Sequence, residues 1–203
     1  AQGHTDIPLD DVGHRQAAAM APLVAALLPV RLWSSDLARA AQTAHYVGRA
    51  AGLAVELDAR LREYSVGERS GLTRDEFAAR FPREYAAWQA DDETILVPGA
   101  ESTADVLARM VPALRGYVDA LGPGETGVAV THGACLRAAM LELLELPASS
   151  DGAFATMANC TWTTLQENVF GGRFRLTGYN EGVRDPGPGA RDLPDFASGA
   201  VLA

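Results

Sequence analysis

Three short strings in this chain hold residue types that could bind an anion and supply a proton. The first is Ser34-Ser35-Asp36-Leu37-Ala38-Arg39-Ala40-Ala41-Gln42-Thr43-Ala44, which follows a short apolar run and opens an alanine-rich segment. Read as a strand giving way to a helix, it sets Arg39 in the first helical turn, where open α/β sheets bind their ligands. A guanidinium there reaches an anion with two parallel N–H groups. The second string is Val130-Thr131-His132-Gly133-Ala134-Cys135-Leu136-Arg137. His132 again falls at a strand-to-helix junction, and Gly133 lets a ligand approach the backbone closely. The third is Arg60-Leu61-Arg62-Glu63-Tyr64, with Glu63 at the entrance to an aromatic segment. A carboxyl group shielded there is suited to act as a general acid. Taken singly, each string has a plainer explanation: a surface Arg paired with an acid, a structural His, a Glu paired with Arg60 or Arg62. Two such junctions in one chain, one with Arg and one with His-Gly, favour an anion site.

The elements needed to position these strings alternate along the chain. Gly13 to Leu28 reads as a helix with Asp10 or Asp11 as its cap, ended by Pro29. Val30 to Ser34 reads as a buried strand. Asp36 to Ala51 is a second helix, with Leu37, Ala40, Ala41, Ala44 and Val47 on one face and Gly52 as its stop. Leu53 to Leu57 is a further strand. Residues 64 to 100 carry charge and aromatics, among them Tyr64, Phe77, Phe81, Tyr85 and Trp88, and read as a lid with short helices at Thr73–Arg80 and Pro82–Ala90. Ser102 with Asp105 has the spacing of a capping box ahead of a long amphipathic helix. Gly127 to Thr131 is an apolar strand, and His132-Gly133 leads a helix to about Leu146. Thr161–Gln166 and Arg173–Tyr179 form a hairpin around Asn168–Gly172. From about residue 184 a Pro- and Gly-rich stretch reads as a loose tail. The sum is an α/β chain: a single domain as a three-layer α/β/α sandwich with a mostly parallel central sheet.

Composition narrows the function. A formal net charge of −9 argues against nucleic acid as a partner, which needs clustered Lys and Arg. No apolar run approaches the roughly 18 residues that span a bilayer, so no membrane partner is expected, and a cytoplasmic location is. Cys135 and Cys160 match no metal-ligand spacing and read as reduced thiols. No hard-metal carboxylate cluster is evident, so neither metal nor other cofactor is expected.

In order and spacing these strings resemble the histidine phosphatase (phosphoglycerate mutase-like) superfamily. Gln2-Gly3-His4-Thr5-Asp6-Ile7-Pro8-Leu9 with Gly13 and Gln16-Ala17 resembles the loop and first helix that follow that family's opening motif. The Ser34–Ala44 string, Arg60–Glu63, Gly99-Ala100-Glu101-Ser102, Thr131–Arg137, Asn159 with Trp162, and Tyr179-Asn180 continue the match to about residue 180. The resemblance implies a phosphomonoester hydrolase working through a phosphohistidine on a small phosphorylated metabolite. It implies Arg39, Glu63 and His132 as catalytic residues, Gln2, Gly3, Gly133 and Ala134 as substrate contacts, and Arg74, one turn into a lid helix, as a basic substrate contact. The stretch Met157–Trp162 resembles phosphatases that act on glucosylated phosphoglycerate.

One feature of the family is missing. The R-H-G motif, which supplies the nucleophilic His on the family's first strand, does not occur in residues 1–203. His4, His14 and His45 do not stand in its position; His4 reads as a loop residue and the other two as helix-surface residues. A strand of about five residues ahead of the Gln2-Gly3 loop is the expected source. Without it the chain alone would be inactive, a binder of phosphorylated ligands. A cofactor-dependent phosphoglycerate mutase is the other alternative, disfavoured by the compact lid and by Tyr64-Ser65 standing where the mutases carry a His-Tyr pair. A homodimer stays open.

Overall fold

The computed structural model describes residues 2–168 and 172–182. In chain order its elements are α1 (Asp11–Ala25), β1 (Arg31–Ser34), α2 (Ala38–Ala51), β2 (Glu56–Leu57), α3 (Arg74–Arg80), α4 (Pro82–Gln89), α5 (Thr103–Asp119), β3 (Gly127–Val130), α6 (Gly133–Leu143), β4 (Trp162–Glu167) and β5 (Phe174–Glu181). β1 pairs in parallel with β2 on one side and β3 on the other.

β1 organises the layers. Neighbouring side chains of a strand point to opposite faces. Leu32 packs with Met20, Ala21, Val24 and Val47 of α1 and α2. Trp33, next in sequence, packs with Val106, Met110, Tyr117 and Ala139 of α5 and α6. Trp33 and Tyr117 stack with ring centroids 4.4 Å apart. Two helices therefore cover each face of the sheet, giving the expected sandwich. No helix among the described residues is long and apolar enough to cross a membrane.

Local chemistry explains most boundaries. Asp10 caps α1 by accepting from the Gly13 amide. Gly52 ends α2 in the left-handed conformation. Ser102 and Asp105 form the expected capping box, and Thr73 with Glu76 forms another at α3. Two helices stop short of their expected ends. Leu28 and Glu145 take left-handed backbone angles, so α1 closes at Ala25 and α6 at Leu143. β2 is two residues long because only Glu56 and Leu57 reach the β1 ladder.

The hairpin β4–β5 is a separate antiparallel pair. Part of its expected tip, residues 169–171, and the tail from 184 lie outside the described residues. Among the described residues β3 pairs only with β1, and β4 only with β5. Residues of both strands line one cleft of about 2420 Å³, together with apolar side chains such as Met20, Val24, Leu114 and Val118. That is far more than the roughly 300–1,000 Å³ of an ordinary small-molecule pocket.

Candidate active site

The site forms where β1 and β3 end. The Ser35 amide donates to the Val130 carbonyl at 2.8 Å, so the two strand ends leave the sheet side by side. α2 starts three residues after Ser35 and α6 three residues after Val130. α2 has no side-chain cap of its own; Asp6 supplies one, its carboxylate accepting from the Ala38 amide at 2.6 Å. This draws the 2–9 loop across the helix start and brings Gly3 to Arg39.

Arg39 donates to the carbonyls of Gly3 at 2.9 Å and Thr5 at 3.0 Å. Burial lowers its pKa, against the pull of Glu63 and Asp6. Gly3 is buried at φ +51, and a Cβ there would lie 2.6 Å from Val66, so the loop fits only glycine at this point. Gln2 is exposed at the cleft's edge.

His132 Nε2 lies 2.9 Å from the Ser35 hydroxyl, and the direction of that bond depends on the ring tautomer. Burial pushes the imidazole down to about 3, and Arg39 is the strongest of the nearby charges that add to the effect. The ring is therefore neutral at pH 7. Gly133, the first residue of α6, is exposed with open space around it. An anion meeting its amide would also meet the positive end of the helix dipole.

Glu63 sits on that same helix end. Its carboxylate accepts from the Ala134 amide at 3.2 Å and the Cys135 amide at 3.0 Å, as well as from Tyr64. Its backbone is held too. Arg109 donates to the carbonyls of Arg60, Arg62 and Glu63, and pairs with Glu101 through two nitrogens. Arg60 and Arg62, the alternative partners of Glu63, are taken by Asp58 and Asp36.

Arg39, Glu63, His132, Gly133, Ala134, Gln2 and Gly3 thus come to one cleft, although the Ala134 amide is held by Glu63. Arg74 does not line this cleft. It is exposed on the lid, with Nε 2.8 Å from the Tyr85 hydroxyl. Sequence reading missed Ser35 as the partner of His132, Arg109 as the pin beneath Glu63, and His4, whose Nε2 lies 2.7 Å from the Glu63 carbonyl. Cys135 is buried and Cys160 half-buried; both are free thiols.

A model of the histidine phosphatase superfamily (branch 1) matches residues 1–182. The chain is 37% identical over 171 residues to a glucosyl-3-phosphoglycerate phosphatase of Mycobacterium tuberculosis, a match covering 81% of this chain and 76% of that protein. It is 34% identical over 192 residues to the protein of the same name from Mycolicibacterium vanbaalenii, covering 92% and 80%. A solved structure of a mycobacterial glucosyl-3-phosphoglycerate phosphatase with inorganic phosphate superposes with a TM-score of 0.80 at 35% identity, covering 89% of this chain and 91% of that one.

Proposed function

The chain belongs to the histidine phosphatase superfamily, and from that premise we propose that it hydrolyses a small metabolite's phosphate monoester through a phosphohistidine, glucosyl-3-phosphoglycerate being the first substrate to try. The observation that carries this reading is the meeting of Arg39, neutral His132, the open Gly133 amide and Glu63 at the carboxyl ends of β1 and β3.

In the proposed reaction Arg39, His132 and the Gly133 amide hold the equatorial oxygens of the phosphoryl group. A nucleophilic imidazole attacks phosphorus in line, the P–O bond to the alcohol breaks, and the alkoxide takes a proton from Glu63. Water, giving its proton back to Glu63, then cleaves the P–N bond and releases phosphate. An arriving phosphate dianion competes for the amides at the start of α6, which frees the Glu63 carboxyl group to meet the leaving oxygen.

The family's R-H-G motif, expected to carry the nucleophile, does not occur in residues 1–203. We propose that it belongs on a strand filling the slot between β3 and β4, beside His132. The protein as a whole is then one domain with a lid at about residues 64–100. A mutase reading is weaker, because retaining a phosphorylated intermediate calls for a lid that shuts out water. A cytoplasmic location fits the free thiols.

The test begins with the phosphate site. Titration calorimetry with inorganic phosphate should show binding, weakened about 10- to 100-fold by Arg39→Ala through loss of a charged hydrogen bond. An Arg39→Ala chain that bound phosphate as well as the wild type would take Arg39 out of the site. Phosphate release from a panel of sugar phosphates and phosphoglycerates, by protein carrying an R-H-G strand, then identifies the substrate.

A further inference from the structure

Among the described residues three arginines line the cleft, and two of them are already engaged. Arg39 is bonded to the Gly3 and Thr5 carbonyls, and Arg137 pairs with Asp151 at 2.6 Å. Arg69 differs. Its guanidinium carbon lies 4.4 Å from the centre of the Phe77 ring and 4.5 Å from that of Trp88. The two rings meet edge to face, 6.1 Å apart, and clamp the cation within the lid. Among the described residues no carbonyl or carboxylate accepts from its side chain. Burial alone lowers its pKa, with no acid offsetting it. A guanidinium held rigid on the cleft wall, with no protein acceptor for its N–H groups among the described residues, is placed to donate to a ligand.

We propose that Arg69 is a specificity residue that recognises a second anionic group, a carboxylate, on the alcohol part of the phosphate ester. This rests on the phosphatase reading above and adds to it the residue that selects the substrate.

The clamp supports the assignment. Stacked on aromatic faces, a guanidinium keeps its plane fixed and offers only its N–H edge, which matches the two oxygens of a planar carboxylate. One charge and one fork suit a monoanion. A phosphate dianion needs convergent donors such as Arg39, His132 and Gly133 supply. Val66, against which Gly3 packs, accepts through its carbonyl from the Arg69 amide, so the lid arginine starts one turn from the loop that touches Arg39. Arg74, the basic residue expected as a substrate contact, does not line the cleft and donates to the Tyr85 hydroxyl instead.

The test compares two ligands of nearly equal size, 3-phosphoglycerate and glycerol 3-phosphate, which differ by a carboxylate in place of a hydroxymethyl group. Their dissociation constants are measured by calorimetry on the wild-type chain and on Arg69→Met and Arg69→Lys, with inorganic phosphate as a third ligand. The wild type should prefer the carboxylated ester by about 10- to 100-fold, the range expected for hydrogen bonds to a charged group. Arg69→Met, which keeps bulk between the rings, should erase that ratio, and Arg69→Lys should restore part of it. Loss of affinity for both esters in equal measure would overturn the proposal, making Arg69 a structural piece of the lid. So would a ratio that survives in Arg69→Met. Failure of the wild type to bind even inorganic phosphate would overturn the site reading itself, and this inference with it.

Discussion

At the scale of single residues, the neutral state of His132 is the feature with the clearest consequence. Burial, reinforced by Arg39, His4 and Arg109, holds its pKa at about 3, whereas an unfolded His titrates near 6.5. Between those values the unfolded chain binds a proton that the folded chain refuses. The stability tied to the neutral ring is thus complete above about pH 6.5 and drains away as the pH falls towards 3. Each pH unit inside that window costs up to about 1.4 kcal/mol. Going from pH 6.5 to 4.5 should therefore remove about 2–3 kcal/mol, or ~5–10 °C of Tm for a chain of this size. Thermal melts at several pH values, on wild type and His132→Gln, check this. The variant should lack most of the slope, and equal slopes would mean that other groups are responsible. The carboxylate of Asp58, held at about 2 by Arg60 and by the Tyr117 hydroxyl, does not confuse the reading, since its contribution fades only below an unfolded value near 3.9. Arg39, Glu63 and His132 were legible from sequence because each lies at an element end marked by its own string. Ser35 and Arg109 were not, because their partners lie 97 and 46 residues away, a separation that leaves no local pattern.

At the scale of elements, the lid is stapled at its base. The Glu68 amide donates to the Pro98 carbonyl, the Glu101 amide donates to the Ser65 carbonyl, and Val66 bridges Ala100. Gly67 lies inside this staple at φ +53, and a Cβ would fall 2.1 Å from the Pro98 oxygen and 2.5 Å from the Ala100 nitrogen. Those are backbone atoms, which cannot swing aside. Gly67→Ala should cost about 2–4 kcal/mol, the sum of left-handed strain and overpacking. It should also loosen the lid, seen as faster hydrogen exchange at the Glu68 and Glu101 amides. Gly71 provides the contrast, with φ +78 and nothing within 4 Å, so Gly71→Ala should cost only the strain, about 1 kcal/mol. Equal losses in the two variants by urea denaturation would show that the close approach is not what matters. The helices were readable in advance from their caps and apolar faces. The orientation of the lid was not. The family resemblance implied Arg74 as the basic contact, but Phe77, Tyr85 and Trp88 pack together and the place on the cleft wall goes to Arg69, which lies before the helix and obeys no period.

At the scale of the whole molecule, the sheet is in two pieces. The three parallel strands were legible as apolar runs ending at Ser34, Leu57 and Thr131, and the hairpin as two runs about a turn, but the gap between β3 and β4 depends on tertiary placement that no single run encodes. Val128 and Val130 are only half-buried, and among the described residues no strand pairs with the edge of β3 that faces the cleft. An open strand edge of this kind invites pairing with another strand. A short apolar strand carrying R-H-G, joined ahead of Gln2 through its loop, should pair with β3 and bring its His beside His132. Burying two or three apolar side chains there, at about 1.5–3 kcal/mol each, should raise Tm by about 10 °C or more. Two extended chains separate structure from chemistry. With R-H-G both the Tm gain and phosphate release should appear; with the His of that motif replaced by Ala, the Tm gain should remain and turnover should vanish. A chain that gained turnover without added stability would place the strand outside the slot, and one that gained stability but no turnover even with the His present would leave the cleft as a phosphate-binding site.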